Sequence, residues 1–202
     1  MALDLAPKAV LPRVLAYHKP EGEIVSRSDP GGRRTVFEHL PRLAEGRWVS
    51  IGRLDLNSAG LLLLTDSGDL ANRMMHPRHG VEREYSVRVS KELAPGELER
   101  LRQGVRLDDG VARFLRIESG DKRTGANRWY RVTLAEGRNR EVRRMFQAIG
   151  VQVSRLLRIR MGPVLLPREL KPGRWRELSG AEVGRLLAIG AAENVVSKPE
   201  KG

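Results

Sequence analysis

The chain has 202 residues and no cysteine. It is long enough for a sizeable core, with roughly 70% of the unfolded surface buried at this size, and it excludes disulfide frameworks and thiolate metal sites. Its 37 basic residues outnumber 25 acidic ones for a net charge of +12, and 30 of the 37 are arginine, a balance that points to a polyanionic partner.

Residues 1–12, with Pro7 and Pro12, carry no sustained apolar pattern and read as a tail. Strands are expected at Val14 to Tyr17, Trp48 to Leu54 and Gly60 to Thr65, then at Glu84 to Val89, where polar and apolar residues alternate. The longest aliphatic run, Leu61 to Leu64, falls far short of the ~18 residues of a membrane helix, and the N-terminus lacks a signal-peptide core. A cytoplasmic protein without a membrane partner is expected. Helical spacing marks Asp69 to Met75 and Gly96 to Gln103, the latter stopped by Gly104. Further strands are expected at Val111 to Ile117 and Arg128 to Leu134. An amphipathic helix follows, with Val142, Met145, Phe146 and Ile149 on one face and Gly150 at its end. A strand over Gln152 to Arg160 and a terminal helix over Ser179 to Ile189, with Ser179 and Glu182 as a capping box, complete a domain spanning 13–190. Residues 191–202 read as a second tail. Strands and helices mixed without regular βαβ repetition predict the α+β class.

The chemistry-bearing candidates begin with exclusions. The sequence contains no phosphate-binding P-loop, dinucleotide fingerprint or acyl-transfer elbow, so no nucleotide cofactor is expected. His76 and His79 have metal-compatible spacing, but Pro77 disfavours a regular helix and no carboxylates accompany them; no metal is expected. The pairs Asp66/Asp69 and Asp108/Asp109 lie in glycine-containing turns that already account for them, as does Asp29-Pro30-Gly31-Gly32. By position alone Asp55 is a turn residue too, at the head of Asn57-Ser58-Ala59-Gly60. The basic charge is concentrated between residues 128 and 160, where nine arginines face only Glu136 and Glu141. Such a patch is an electrostatic footprint for nucleic acid.

The stretch "IGRLDLNSAGLLLLTDSGDLANRMMHPRHGVEREY" (51–85) resembles the signature of the pseudouridine synthases. Together with "YHKPEGEIVS" (17–26) and "EGRNREVRRMFQAIGVQVSRLLRIRMG" (136–162) it resembles the branch that modifies small- and large-subunit ribosomal RNA, over roughly residues 13 to 190. The resemblance implies a mixed, mostly antiparallel sheet with flanking helices and a central RNA-binding cleft. It implies isomerisation of a specific uridine to pseudouridine in ribosomal RNA, 23S above all, without cofactor or metal.

By the same resemblance, Asp55 is the catalytic nucleophile, attacking either the ribose anomeric carbon or uracil carbon 6. Arg143 is the basic partner beside that carboxylate, and Tyr85 stacks on the target base and assists late proton transfer. Leu156 lines the uracil pocket, with Leu157 as the alternative register. A uridine in folded RNA must be flipped out, and phosphate contacts offset that cost. Arg53, Arg138, Arg140, Arg144 and Arg158 are the candidates, Arg138 near a helix N-terminus that favours anions. Members of this branch commonly carry a small helical RNA-binding module ahead of the catalytic domain; here twelve residues precede Arg13. A monomer is expected. The alternative from another class is a non-catalytic ribosomal RNA binder or assembly factor; a methyltransferase would need a glycine-rich cofactor loop that this sequence lacks.

Overall fold

The computed structural model describes residues 10–120 and 128–191. Of the two expected tails, residues 1–9 and 192–202 therefore lie outside the described residues. In chain order the elements are β1 (Val14–Lys19), β2 (Val49–Ile51), β3 (Ala59–Thr65), α1 (Gly68–Met75), β4 (Arg83–Val89), α2 (Pro95–Gln103), β5 (Val105–Leu107), β6 (Gly110–Ala112), β7 (Arg116–Ser119), β8 (Arg128–Leu134), α3 (Glu141–Gln147), β9 (Val153–Met161), β10 (Val164–Leu165), β11 (Trp175–Glu177) and α4 (Gly180–Leu187).

Seven strands form the path β11-β1-β3-β9-β4-β8-β7, with β2 added to β3 and β10 to β9. Every pairing is antiparallel except β3 with β9, which meet in parallel over only Ala59↔Leu157 and Gly60↔Arg158. The sheet is thus two antiparallel halves joined along a short parallel seam. This is an α+β architecture with a mixed, mostly antiparallel sheet.

The strand sequences explain which faces are covered. Leu61, Leu62, Leu63 and Leu64 are all fully buried because β3 is covered on both sides. Leu62 and Leu64 join a core with Tyr17, Val87, Val132 and α3 residues Met145 and Phe146, while Leu61 and Leu63 pack with Leu70 and Met74 of α1 and Val183 and Leu186 of α4. A continuous apolar run is what a doubly covered strand requires. By contrast β4 alternates: Tyr85, Val87 and Val89 are buried, and Glu84, Ser86 and Arg88 are only half-buried.

Several expectations change in detail. The strand expected over Trp48 to Leu54 is only Val49–Ile51, because Gly52 turns the chain with φ +79°. The single strand expected over Val111 to Ile117 is two: β6 closes a hairpin with β5, and β7 pairs with β8. Between them the Phe114 amide donates to the Leu101 carbonyl at the end of α2. Five of the seven residues from Val111 to Ile117 are apolar and none is a glycine or proline, so the sequence pattern carries no sign of the break. Strands β5, β10 and β11 were not expected. The terminal helix has the predicted capping box, with Ser179 and Glu182 bonded reciprocally.

Candidate active site

Over the parallel seam lies a cleft of about 620 Å³. Its lining includes Arg53, Asp55 and Ser58 from the segment between β2 and β3, Arg83 and Tyr85 from β4, Leu156 and Arg158 from β9, and residues 134–142 leading into α3. Segments distant in sequence converge here because β3 and β4 flank β9 on either side.

Asp55 does head a turn, its carbonyl accepting from the Ser58 amide at 3.0 Å. What distinguishes it is the support beneath that turn. Lys19, fully buried at the end of β1, donates from Nζ to the carbonyls of Asp55 (3.0 Å), Ser58 (2.7 Å) and Pro20 (3.0 Å). Burial lowers the Lys19 ammonium to about 8, with partial relief from Glu23 and Asp55. The backbone of the turn is therefore clamped while the Asp55 side chain keeps 36% of its surface exposed toward the cleft.

The cation nearest that carboxylate is Arg140, whose Nη1 lies 3.6 Å from Asp55 Oδ2. Arg140 is also the one non-glycine residue with positive φ (+48°) among the described residues. A left-handed residue costs about 1–2 kcal/mol, and here that conformation starts α3 and lets the side chain face Asp55. Arg143 is not in contact with the carboxylate. Its guanidinium donates to the carbonyls of Asn57 (2.7 Å) and Val153 (3.1 Å), which ties α3 and β9 to the Asp55 turn. Burial and then the like charge of Arg140 lower Arg143 from its ordinary value, and Asp55 partly offsets this.

Tyr85 is 8% exposed and stands opposite Arg158 across the β4–β9 pair. Leu156, two residues before Arg158 and so on the same face, lines the cleft; Leu157 faces away and is absent from its lining. Arg53 is exposed at the rim. The other arginines are engaged. Arg144 makes a two-pronged pair with Asp109 at 2.9 Å per bond, and Arg138 binds Glu136 at 3.0 Å. The N-terminal end of α3 is occupied by the chain's own carboxylate, since the Arg138 amide donates to Glu141 Oε2 at 3.0 Å. Arg158 is buried, with Nε donating to the Leu61 carbonyl at 2.7 Å. It cannot reach a phosphate on the protein surface.

Sequence reasoning passed over Lys19, Ser58, Arg83 and Glu141. Lys19 did carry a signal, a charged residue closing an apolar strand ahead of Pro20; the others became visible only through the convergence of strands. Glu141 is 3% exposed, and burial, then a hydrogen bond with Glu136, raise its carboxyl to about 7. The sign follows from its ordinary value of 4.5. Below that pH the group is protonated folded or unfolded, and stability is unaffected. As pH rises toward 7 only the unfolded chain ionises, so stability falls, leaving a penalty of roughly 1–3 kcal/mol above it. Glu141→Gln, which retains the acceptor for the Arg138 amide, is therefore expected to raise the denaturation midpoint at pH 8 and leave it unchanged at pH 4. An equal shift at both values would exclude titration of Glu141 as the cause.

Comparison with known proteins gives this cleft its context. The sequence model of the family described as RNA pseudouridylate synthase matches residues 13–148. The proteins named ribosomal large subunit pseudouridine synthase B from Salmonella typhi and Escherichia coli (strain K12) are each 55% identical over 178 residues, covering 88% of this chain and 60% of theirs. The protein of that name from Haemophilus influenzae is 55% identical over 177 residues, 88% of this chain and 49% of its own. The chain thus spans about three-fifths or less of the length of these relatives. A crystal structure of pseudouridylate synthase superposes with a TM-score of 0.75 at 27% identity, over 89% of this chain and 76% of that one. The matched segment runs from β1 through α3 and contains Asp55, Tyr85 and Arg140, and on that evidence the chain belongs to the RNA pseudouridylate synthase family.

Proposed function

We propose that this chain converts a uridine of large-subunit ribosomal RNA to pseudouridine, with residues 13–190 as the catalytic unit and Asp55 as its nucleophile. The observation that carries the reading is the Asp55 carboxylate, exposed to the cleft on a backbone turn that Lys19 clamps from below. A cleft-facing carboxylate on a rigid support can attack an electrophilic carbon of the nucleotide and form a covalent intermediate. The glycosidic bond to N1 breaks, the base turns, carbon 5 joins the ribose, and its proton is released.

Arg140 faces the carboxylate, and Arg143 positions the turn through the Asn57 carbonyl. Tyr85 offers a ring for stacking and Leu156 an apolar wall. A monomer acting on ribosomal RNA in the cytoplasm is the reading that goes with this reaction. The residues carry the reaction without assigning any step to a metal or cofactor. The test is tritium release from ribosomal RNA fragments labelled at uracil carbon 5. Release from a large-subunit fragment supports the reading, whereas RNA binding with no release from any fragment would leave a non-catalytic clamp.

The pairing pattern also sorts the arginines. Arg140 is about half-exposed at the mouth of the cleft, but Arg144 is already neutralised by Asp109. Arg140→Ala should flatten the dependence of log K on log salt by roughly 0.7–0.9, one phosphate's worth. Arg144→Ala should leave the slope unchanged. Titrations at several salt concentrations decide this, and the reverse order would mean that RNA displaces Asp109 from Arg144.

A further inference from the structure

Buried polar atoms without partners are rare, and two of those in this cleft fall in one place. Among the described residues, Ser58 Oγ and Arg158 Nη2 are buried with no hydrogen-bond partner, as is Arg143 Nε outside the cleft lining. Glu141 Oε1 also has none, but it belongs to the carboxyl pair with Glu136. Leaving a buried donor unpaired is costly, because it loses its bond to water and gains none in return.

Ser58 and Arg158 are 1% and 2% exposed and both line the cleft floor. The sheet brings them together. Ala59 pairs with Leu157 and Gly60 with Arg158, so Ser58 comes level with Leu156. Arg158 lies on the same face as Leu156 and directly opposite Tyr85. The two orphaned donors therefore flank the stacking ring and the apolar wall, at the end of the turn that Asp55 heads.

We infer that Ser58 Oγ and Arg158 Nη2 read the carbonyl edge of the uracil, one donating to O2 and the other to O4. This rests on the proposed isomerisation and adds the determinant of base choice. Uracil presents two acceptors flanking an N–H. Cytosine places an amine where uracil has O4, and a guanidinium there, which can only donate, would meet another donor. A site built around a specific hydrogen bond rejects the analogue lacking it far more strongly than an apolar pocket can. The same contacts assist the chemistry. When the bond from the ribose to N1 breaks, the electron pair stays with the base and spreads onto O2 and O4, where fixed donors stabilise it. Arg158 is prepared for this because its Nε is held by the Leu61 carbonyl, which fixes the plane of the guanidinium. The sequence supports a phosphate contact for Arg158 equally well; burial within the sheet moves it to the base.

The experiment uses a large-subunit ribosomal RNA fragment containing the uridine that the wild-type protein converts. That single uridine is replaced by 2-thiouridine or 4-thiouridine, whose sulfur is a poor acceptor. Conversion rates are compared for wild type, Ser58→Ala and Arg158→Lys, the last preserving the buried charge. Wild type is expected to lose about tenfold or more in kcat/KM with each thio-substitution. Each variant should be slower on uridine and insensitive to one of the two analogues, a different one for each. A merely structural role would slow a variant on all three substrates by the same factor, and that outcome overturns the inference while leaving the isomerisation intact. Should Arg158→Lys fail to fold, Ser58→Ala alone decides, since it removes one hydroxyl without disturbing the strand. If wild type converts no uridine, the isomerisation itself falls, and the inference with it.

Discussion

Asp55→Asn is expected to abolish pseudouridine formation, lowering turnover by roughly 10⁴-fold or more, as removal of a catalytic nucleophile does elsewhere, while the fold and RNA binding survive. The structure makes this a clean substitution. The turn depends on the Asp55 carbonyl, which accepts from the Ser58 amide and Lys19 Nζ, and neither bond involves the side chain. Asparagine is as well suited as aspartate to the head of a turn. The lost partner, Arg140 at 3.6 Å, is largely solvated, and exposed pairs of this kind are worth about 0–1 kcal/mol. Stability should accordingly change by no more than about 1 kcal/mol. RNA affinity should hold or rise slightly, because a negative charge leaves a cleft that phosphates approach. Tritium release, a binding titration and a denaturation curve on the same preparation separate these effects. A variant that retains turnover within tenfold of wild type would remove Asp55 as nucleophile, whatever its position.

Much of this site was legible in the sequence, and the limits have physical causes. The α+β class followed from segments such as Arg128 to Leu134, whose bounds match β8, and from the capping box at Ser179 and Glu182. Asp55 was locatable only through resemblance, since turn chemistry alone accounts for an aspartate at that point. What the sequence could not supply was the identity of contacts between strands. Arg140 and Arg143 are three residues apart on neighbouring turns of the chain, and which of them meets Asp55 depends on the left-handed backbone at Arg140. Arg138, Arg144 and Arg158 look alike as charges in a basic segment. Burial of Arg158 and the Asp109 side chain, carried on the distant β5–β6 hairpin, separate them into different uses. Ser58 and Arg158 are a hundred residues apart, and only the parallel pairing of β3 with β9 makes them neighbours.

That pairing makes Gly60→Ala the second substitution with a large expected effect. Gly60 has φ +107°, and a Cβ there would lie 2.3 Å from the carbonyl oxygen and 2.6 Å from the amide nitrogen of Arg158. Both are backbone atoms, so no side-chain rotation relieves the contact and the strands must separate. The parallel seam consists of two residue pairs, one of them Gly60↔Arg158, so separation removes the junction between the two halves of the sheet. A cost of about 3 kcal/mol or more is expected, from steric overlap added to a backbone conformation that alanine disfavours. Activity should fall with stability, because the displacement carries Ser58 and the Asp55 turn away from Tyr85, Leu156 and Arg158. Gly52→Ala is the matched control. Gly52 also has positive φ, +79°, but a Cβ there meets nothing within 4 Å, leaving only the conformational cost of about 1–2 kcal/mol. Denaturation midpoints of the two variants measured side by side isolate the steric term. If Gly60→Ala is destabilised no more than Gly52→Ala, the close approach of β3 to β9 is not what holds the two halves of the cleft together.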